Sequence, residues 1–172
     1  PVPQVRLEYS VFTPHPGKRI RREPPAAEPP AHRKPPVVDA PSNATVLLAF
    51  FDGIGVAAHA LQTLGWHILY YGSWELDDDC MAVARHHHPQ IQFHGDALNW
   101  CPSETDQLLE KAGIPGWVPV HVCAGPPCQD YSRIRGCSAG GSHGPEGQKL
   151  HRFAEALAVY EQHTSREAVY LV

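Results

Sequence analysis

Cys128 stands in the stretch AGPPCQDYS, residues 124–132, between a diproline and small polar residues, directly after the apolar segment VPVHVC. A cysteine can attack an electron-poor carbon and later leave, and its thiolate does both well when nearby charge or helix amides lower its pKa. Arg133 and Arg135 are close enough in sequence to supply that charge. A second group of chemical residues lies in FFDGIGVAAHAL, where Gly53, Gly55 and Ala58 fit the spacing G-x-G-x-x-G/A. Glycines so placed let the backbone approach a ligand, and the helix that follows offers unpaired amides with partial positive charge. Glu75 follows Gly53 by twenty-two residues, where a carboxylate can accept ribose hydroxyls. The turn and Glu75 alone fit an NAD site as well as another nucleotide-like ligand. Asp52, inside the turn, weighs against pyrophosphate because a carboxylate repels phosphates, and it suits the cationic amino-acid end of S-adenosylmethionine. Asp96 has two readings, an acceptor for an adenine amino group or a turn residue after Gly95.

Other clusters point elsewhere. His86, His87, His88 and His94 lie between cysteines, yet no C-x2-C pair exists and three successive helical histidines cannot face one metal, so no metal site is predicted. The ARHHHP run reads instead as a polar helix end whose histidines complement the dipole. Trp66, Trp74, Trp100 and Trp117 mark element ends and are expected to pack. The five cysteines are an odd, scattered set, and free thiols are expected.

The elements that must hold these residues alternate strand and helix signals from Thr45 onward, the pattern of an α/β sheet. Val46–Phe51 is an apolar run of strand length, and Val56, Ala57, Ala60, Leu61 and Leu64 repeat at helical spacing up to a Gly65 C-cap. His67–Tyr71 predicts a second strand ending near Glu75, Asp79–His87 its helix, and Ile91–Phe93 a third strand. Ser103–Asp106 resembles a capped helix start, with Leu108 and Leu109 carrying the helix to Gly113. Val118–Cys123 predicts a fourth strand, followed by a glycine-rich loop from Gly125 to Gly147, a helix near Lys149–His163 and a last strand, Ala168–Val172. Both the glycine turn and Cys128 then fall at the carboxyl edge of the sheet, where open α/β sheets bind ligands.

Residues 1–44 differ in texture. They hold eleven of the eighteen prolines and read as a disordered, basic, proline-rich linker, leaving 45–172 as one domain. The cluster KRIRR at 18–22 is a solvated basic stretch, a nuclear-import signal or a phosphate-touching arm. Seven Lys and Arg against four acids give 1–44 a charge of +3, and the remaining seven against fourteen give 45–172 a charge of −7. An acidic body is not the footprint of a stand-alone nucleic-acid binder, so any DNA contact must be local. No apolar run approaches membrane-spanning length and no secretory signal is written, so a chain with no membrane partner is expected.

FDGIG, Glu75, the GD at 95–96 and GPPCQDYS, in this order and spacing, resemble motifs I to IV of the DNA cytosine-5 methyltransferases, and the form PCQDYS is most similar to the eukaryotic de novo type. GQKLHRF, 147–153, resembles the motif that follows. The resemblance covers about Thr45 to the end. It implies a Rossmann-like S-adenosylmethionine-dependent methyltransferase fold, represented by the N-terminal half of the catalytic domain, and a thiolate at Cys128 that adds to carbon 6 of a cytosine flipped out of DNA. Carried over residue by residue, it puts Phe51, Asp52, Gly53, Ile54, Gly55, Glu75, Leu76, Asp96, Ala97 and Leu150 around the cofactor. Pro126, Pro127 and Gln129 would shape the catalytic loop, and Pro127, Gln129, Ser132, Arg133 and Arg135 would face the nucleic acid. The implied location is the nucleus. The family's next element, Glu-Asn-Val, is not present by Val172, and the expectation is a fragment with little activity alone. Two alternatives accompany this reading: a module without chemistry that docks on a partner methyltransferase subunit, and a methyltransferase acting on transfer RNA. A dehydrogenase would leave PPCQ unexplained.

Overall fold

The computed structural model describes residues 40–131 and 140–172. The KRIRR cluster and nearly all of the expected linker lie outside the described residues, as do Ser132, Arg133, Arg135 and Cys137.

The first apolar run forms β1, Ala44–Phe50, buried along its whole length. A strand buried on both faces belongs in the middle of a parallel sheet. β1 pairs in parallel with β2, His67–Trp74, on one side and with β4, Val120–Ala124, on the other. β3, Gln92–Phe93, extends the sheet beyond β2, and β5, Ala168–Leu171, extends it beyond β4. Among the described residues the sheet is wholly parallel with order β3-β2-β1-β4-β5. The chain is therefore α/β and compatible with a Rossmann-like fold, its strand order reversing between β1 and β4.

Among the described residues four helices cover the two faces: α1, Val56–Thr63; α2, Asp78–His87; α3, Thr105–Lys111; and α4, Pro145–His163. Side chains alternate along β1, so Leu47 and Ala49 pack with Ala58, Leu61 and Ala84 of α1 and α2. Val46, Leu48 and Phe50 pack on the other face with Leu109, Phe153 and Tyr160 of α3 and α4. The β1–β2 register skips one residue: Thr45 lies beside Ile68 but Val46 beside Tyr70. Leu69 is thus an extra residue, and the shift sets Trp74 beside Phe50, their rings stacked at 4.4 Å. Gly72, between Tyr70 and Trp74, is tightly enclosed, since a Cβ there would lie 3.0 Å from Tyr70 and 3.3 Å from Trp74 and those rings would have to give way.

Local signals explain most boundaries. Gly65, at φ +87°, ends α1 with bonds from its own amide to Gln62 (3.0 Å) and from the Trp66 amide to Leu61 (2.9 Å). Asp77 caps α2 by accepting from the Cys80 amide at 2.9 Å, and Asp78 and Asp79 fill its first turn. Arg166, buried before β5, donates to the Pro115 and Ile114 carbonyls at 2.7 and 3.0 Å and tethers the α3–β4 connection.

Four expectations need correction. Ser103 caps nothing: a 3-10 turn, Pro102–Glu104, leads into α3, whose first hydroxyl, Thr105, accepts from the Trp100 indole at 2.9 Å. The glycine-rich loop ends before Gly147, because Pro145 to Gly147 already form the first turn of α4, with proline near its start. His86 and His87 are exposed as a polar helix end should be, but His88 turns inward and is 4% exposed. Trp117 is 58% exposed and does not pack as expected, whereas Trp74 and Trp100 are buried. No described helix is long and apolar enough to cross a membrane.

Candidate functional site

The glycine turn leaves β1 through a strained residue. Phe51 has φ 52°, the one non-glycine residue with positive φ among those described. Such backbone is costly for a bulky side chain and is held only when its surroundings fix it. Here the Phe51 amide donates to the Trp74 carbonyl at 2.9 Å, and its ring meets Phe153 of α4 edge-on at 5.7 Å. The two glycines then divide the work. Gly53, at φ +60°, has open space where a Cβ would stand, whereas a Cβ on Gly55, at φ +85°, would lie 3.1 Å from the Tyr71 hydroxyl and 3.2 Å from the His88 ring. Gly53 faces outward and Gly55 seats the turn on the core.

Glu75 closes the turn from β2. Its Oε2 accepts from the Gly53 amide at 2.7 Å, and its Oε1 accepts from the Leu76 and Asp77 amides at 2.7 and 2.9 Å. The sequence places Glu75 toward a ribose; the structure makes it first the carboxylate that fixes the turn. With three amides on it, one lone-pair site remains for a ligand hydroxyl. Ile54, Val56 and Leu76 are exposed around it and offer apolar surface.

Asp52 is half-buried and accepts from the Tyr71 hydroxyl at 2.5 Å. Burial raises its pKa above the usual carboxylate value, and the Tyr71 hydrogen bond opposes that rise. The buried Ser73 hydroxyl interacts with the carboxylate and opposes the rise as well, although it completes no hydrogen bond among the described residues. Tyr71 was not singled out from sequence, since an aromatic residue in a strand reads as core. Burial first, and then Asp52, raise its pKa far above the ordinary phenol range. His88 packs edge-on to Tyr71 at 5.7 Å, and burial lowers its pKa.

The cysteine loop leaves the adjacent strand. The Gly125 amide donates to the Phe50 carbonyl at 3.0 Å, so the loop after β4 starts against the residue that feeds the glycine turn. Pro126 and Pro127 are half-buried, Cys128 and Gln129 are exposed, and the Tyr131 amide donates to the Cys128 carbonyl at 3.0 Å. Cys123, by contrast, is the last residue but one of β4, where burial and then the charge of Asp52 push its thiol pKa up. The described cysteines are free thiols, and of these two Cys128 is the one exposed to solvent.

Asp96 adopts its turn reading here: its carboxylate caps a 3-10 turn, Ala97–Asn99, by accepting from the Leu98 amide at 2.9 Å. Ala97 is buried and Leu150 is half-buried on α4. A cavity of about 340 Å³ lies between the glycine turn, α1 and the ends of β1 and β4, touching Phe51, Asp52, Val56, Cys123, Gly125 and Leu171. A larger one, about 420 Å³, lies beside Trp74, His94 and α3, away from the cysteine loop. Sequence reading also passed over Asp130, a buried acid two residues beyond Cys128, and Phe153, whose ring packs tilted on Phe50 at 4.9 Å. The signal for Asp130 was an acid following the cysteine, with Gly144 and Gly147 later in the chain.

No protein-family model matches the chain, and no curated protein matches it.

Proposed function

We propose that this chain forms the cofactor and thiol portion of a DNA cytosine-5 methyltransferase. The observation that carries this reading is the 3.0 Å bond from the Gly125 amide to the Phe50 carbonyl, which starts the cysteine loop and the glycine turn from adjacent strand ends at one sheet edge. The residues present fit S-adenosylmethionine: Gly53 leaves open space, Asp52 offers an anion to an ammonium group, and Glu75 and Leu76 lie at the end of β2. When bound, this group supplies an electrophilic methyl. Asp52 would orient its amino-acid end, the turn amides and Glu75 would hold its sugar, and Phe51 would line its ring.

Cys128, as thiolate, forms a bond to carbon 6 of an extruded cytosine, and the electron pair of the 5,6 double bond moves to carbon 5. Carbon 5 would then take the methyl, the pair of the broken carbon–sulfur bond staying on sulfur, which leaves as a neutral thioether. Loss of its proton to a base then re-forms the double bond and expels the thiolate. Pro126 and Pro127 restrict the loop so that the thiol stays at the edge.

The test has two arms. S-adenosylmethionine at about 100 times its Kd should stabilise the chain by about 2.7 kcal/mol, read as a raised Tm. A 5-fluorocytosine oligonucleotide should then form a covalent complex that denaturing electrophoresis resolves, because fluorine cannot leave as a proton does. Cys128→Ser should keep the Tm shift and lose the complex. A chain with neither shift nor complex refutes the proposal.

A further inference from the structure

The carboxylate of Asp130 is 3% exposed, and its Oδ2 accepts from the Glu146 and Gly147 amides at 2.8 and 3.1 Å. Its backbone carbonyl accepts from the Gly141 amide at 2.9 Å. These amides belong to the start of α4 and to the short turn before it. A negative charge suits that helix end, which has unpaired donors and partial positive charge. A helix normally takes its cap from the residue at its own boundary, yet that residue is Gly144, which makes no side-chain cap. The capping acid comes from sixteen and seventeen residues upstream, so it joins two segments and does more than end a helix.

The joint has no space for side chains on its glycines. A Cβ on Gly144 would lie 2.2 Å from Asp130 Oδ2, and one on Gly147 would lie 1.9 Å from the Gly141 carbonyl oxygen. On the loop side, the Tyr131 amide bonds to the Cys128 carbonyl at 3.0 Å and closes a turn around Gln129 and Asp130. Asp130 and Cys128 thus share one hydrogen-bonded turn. Further along α4, Phe153 packs on Phe50 and Phe51 at 4.9 and 5.7 Å, so one rigid helix touches both the thiol loop and the glycine turn.

We propose that Asp130 is a positioning residue that fastens the Cys128 loop to the first turn of α4, which sets the thiol in place relative to the glycine turn. Its value for catalysis rests on the reading of Cys128 as the nucleophile; the fastening itself does not.

Amide hydrogen exchange on the full chain tests it, with Asp130→Ala, Asp130→Asn and Gly144→Ala beside the parent. Asp130→Ala should speed exchange about tenfold at Glu146 and Gly147 and equally at Tyr131, the amide that reports the Cys128 turn. Gly144→Ala, which displaces the carboxylate from the helix side, should do the same. Asp130→Asn keeps an acceptor and should stay near the parent, which guards against a variant that fails to fold. Covalent trapping of 5-fluorocytosine DNA should slow about 100-fold in Asp130→Ala while the Tm shift from S-adenosylmethionine persists. Faster exchange confined to Glu146 and Gly147 would reduce Asp130 to a helix cap and overturn the proposal, as would an unslowed trapping rate. If the parent traps no DNA but Tyr131 still responds, the function reading fails and the fastening stands.

Discussion

Two residues in the glycine turn have opposite tolerances. Gly55 combines φ +85° with neighbours at 3.1 and 3.2 Å, so Gly55→Ala adds both backbone strain and a clash. The variant should lose about 2 kcal/mol, seen as a lower midpoint in urea unfolding. Gly53→Ala meets strain alone, so the smaller loss should be there; equal losses would contradict the division of roles. Asp52 sets a pH dependence whose sign follows from its raised pKa. The folded chain keeps a proton on Asp52 in a window where the unfolded chain has lost it. Stability from this group is therefore present below the ordinary value of 3.8 and declines as pH rises through the folded pKa. Asp52→Asn should remove that decline and raise Tm near neutral pH, yet weaken binding of a cationic ligand. Melting curves from about pH 4 to 7 check it; identical slopes in parent and variant would contradict the assignment.

At the level of elements, the β-α alternation was legible because β1 carries an unbroken apolar run and α1 a clear helical period. What escaped was whatever depends on distant partners. The start of α4 is fixed by Asp130, sixteen residues away, and nothing local in GPEGQ announces it. His88 is drawn inward by Gly55 and Tyr71, contacts that a run of three histidines cannot reveal. That the glycine turn and the cysteine loop leave one edge of the sheet was readable, but Glu75's engagement by three amides was not, since it depends on how the turn folds back on β2. Arg166 is a similar case, a charged residue buried by carbonyl partners fifty-one and fifty-two residues earlier. Arg166→Met leaves the Ile114 and Pro115 carbonyls without these donors and should cost about 3 kcal/mol in chemical denaturation. A loss near zero would mean that solvent replaces the guanidinium.

For the molecule as a whole, charge asymmetry matters most. A body at −7 repels phosphate, whereas residues 1–44 carry +3 and include the cluster at 18–22. If DNA is the substrate, that cluster supplies phosphate contacts, and each lost contact lowers the salt slope of log K by about 0.9. Replacing Lys18, Arg19, Arg21 and Arg22 with Gln should weaken DNA binding alike for all sequences and flatten the salt dependence, as measured by fluorescence anisotropy across a salt series. Unchanged affinity would assign the contacts elsewhere.

The stack beside Glu75 gives the chain an optical reporter. Trp74 is held between Phe50 at 4.4 Å and His94 at 4.7 Å, in a shielded position, whereas Trp117 is 58% exposed. Emission should therefore divide into a blue, buried component and a red, solvated one that iodide quenches. A molecule settling at the end of β2 perturbs only the blue part, so occupancy of the turn can be followed by light without attaching a dye.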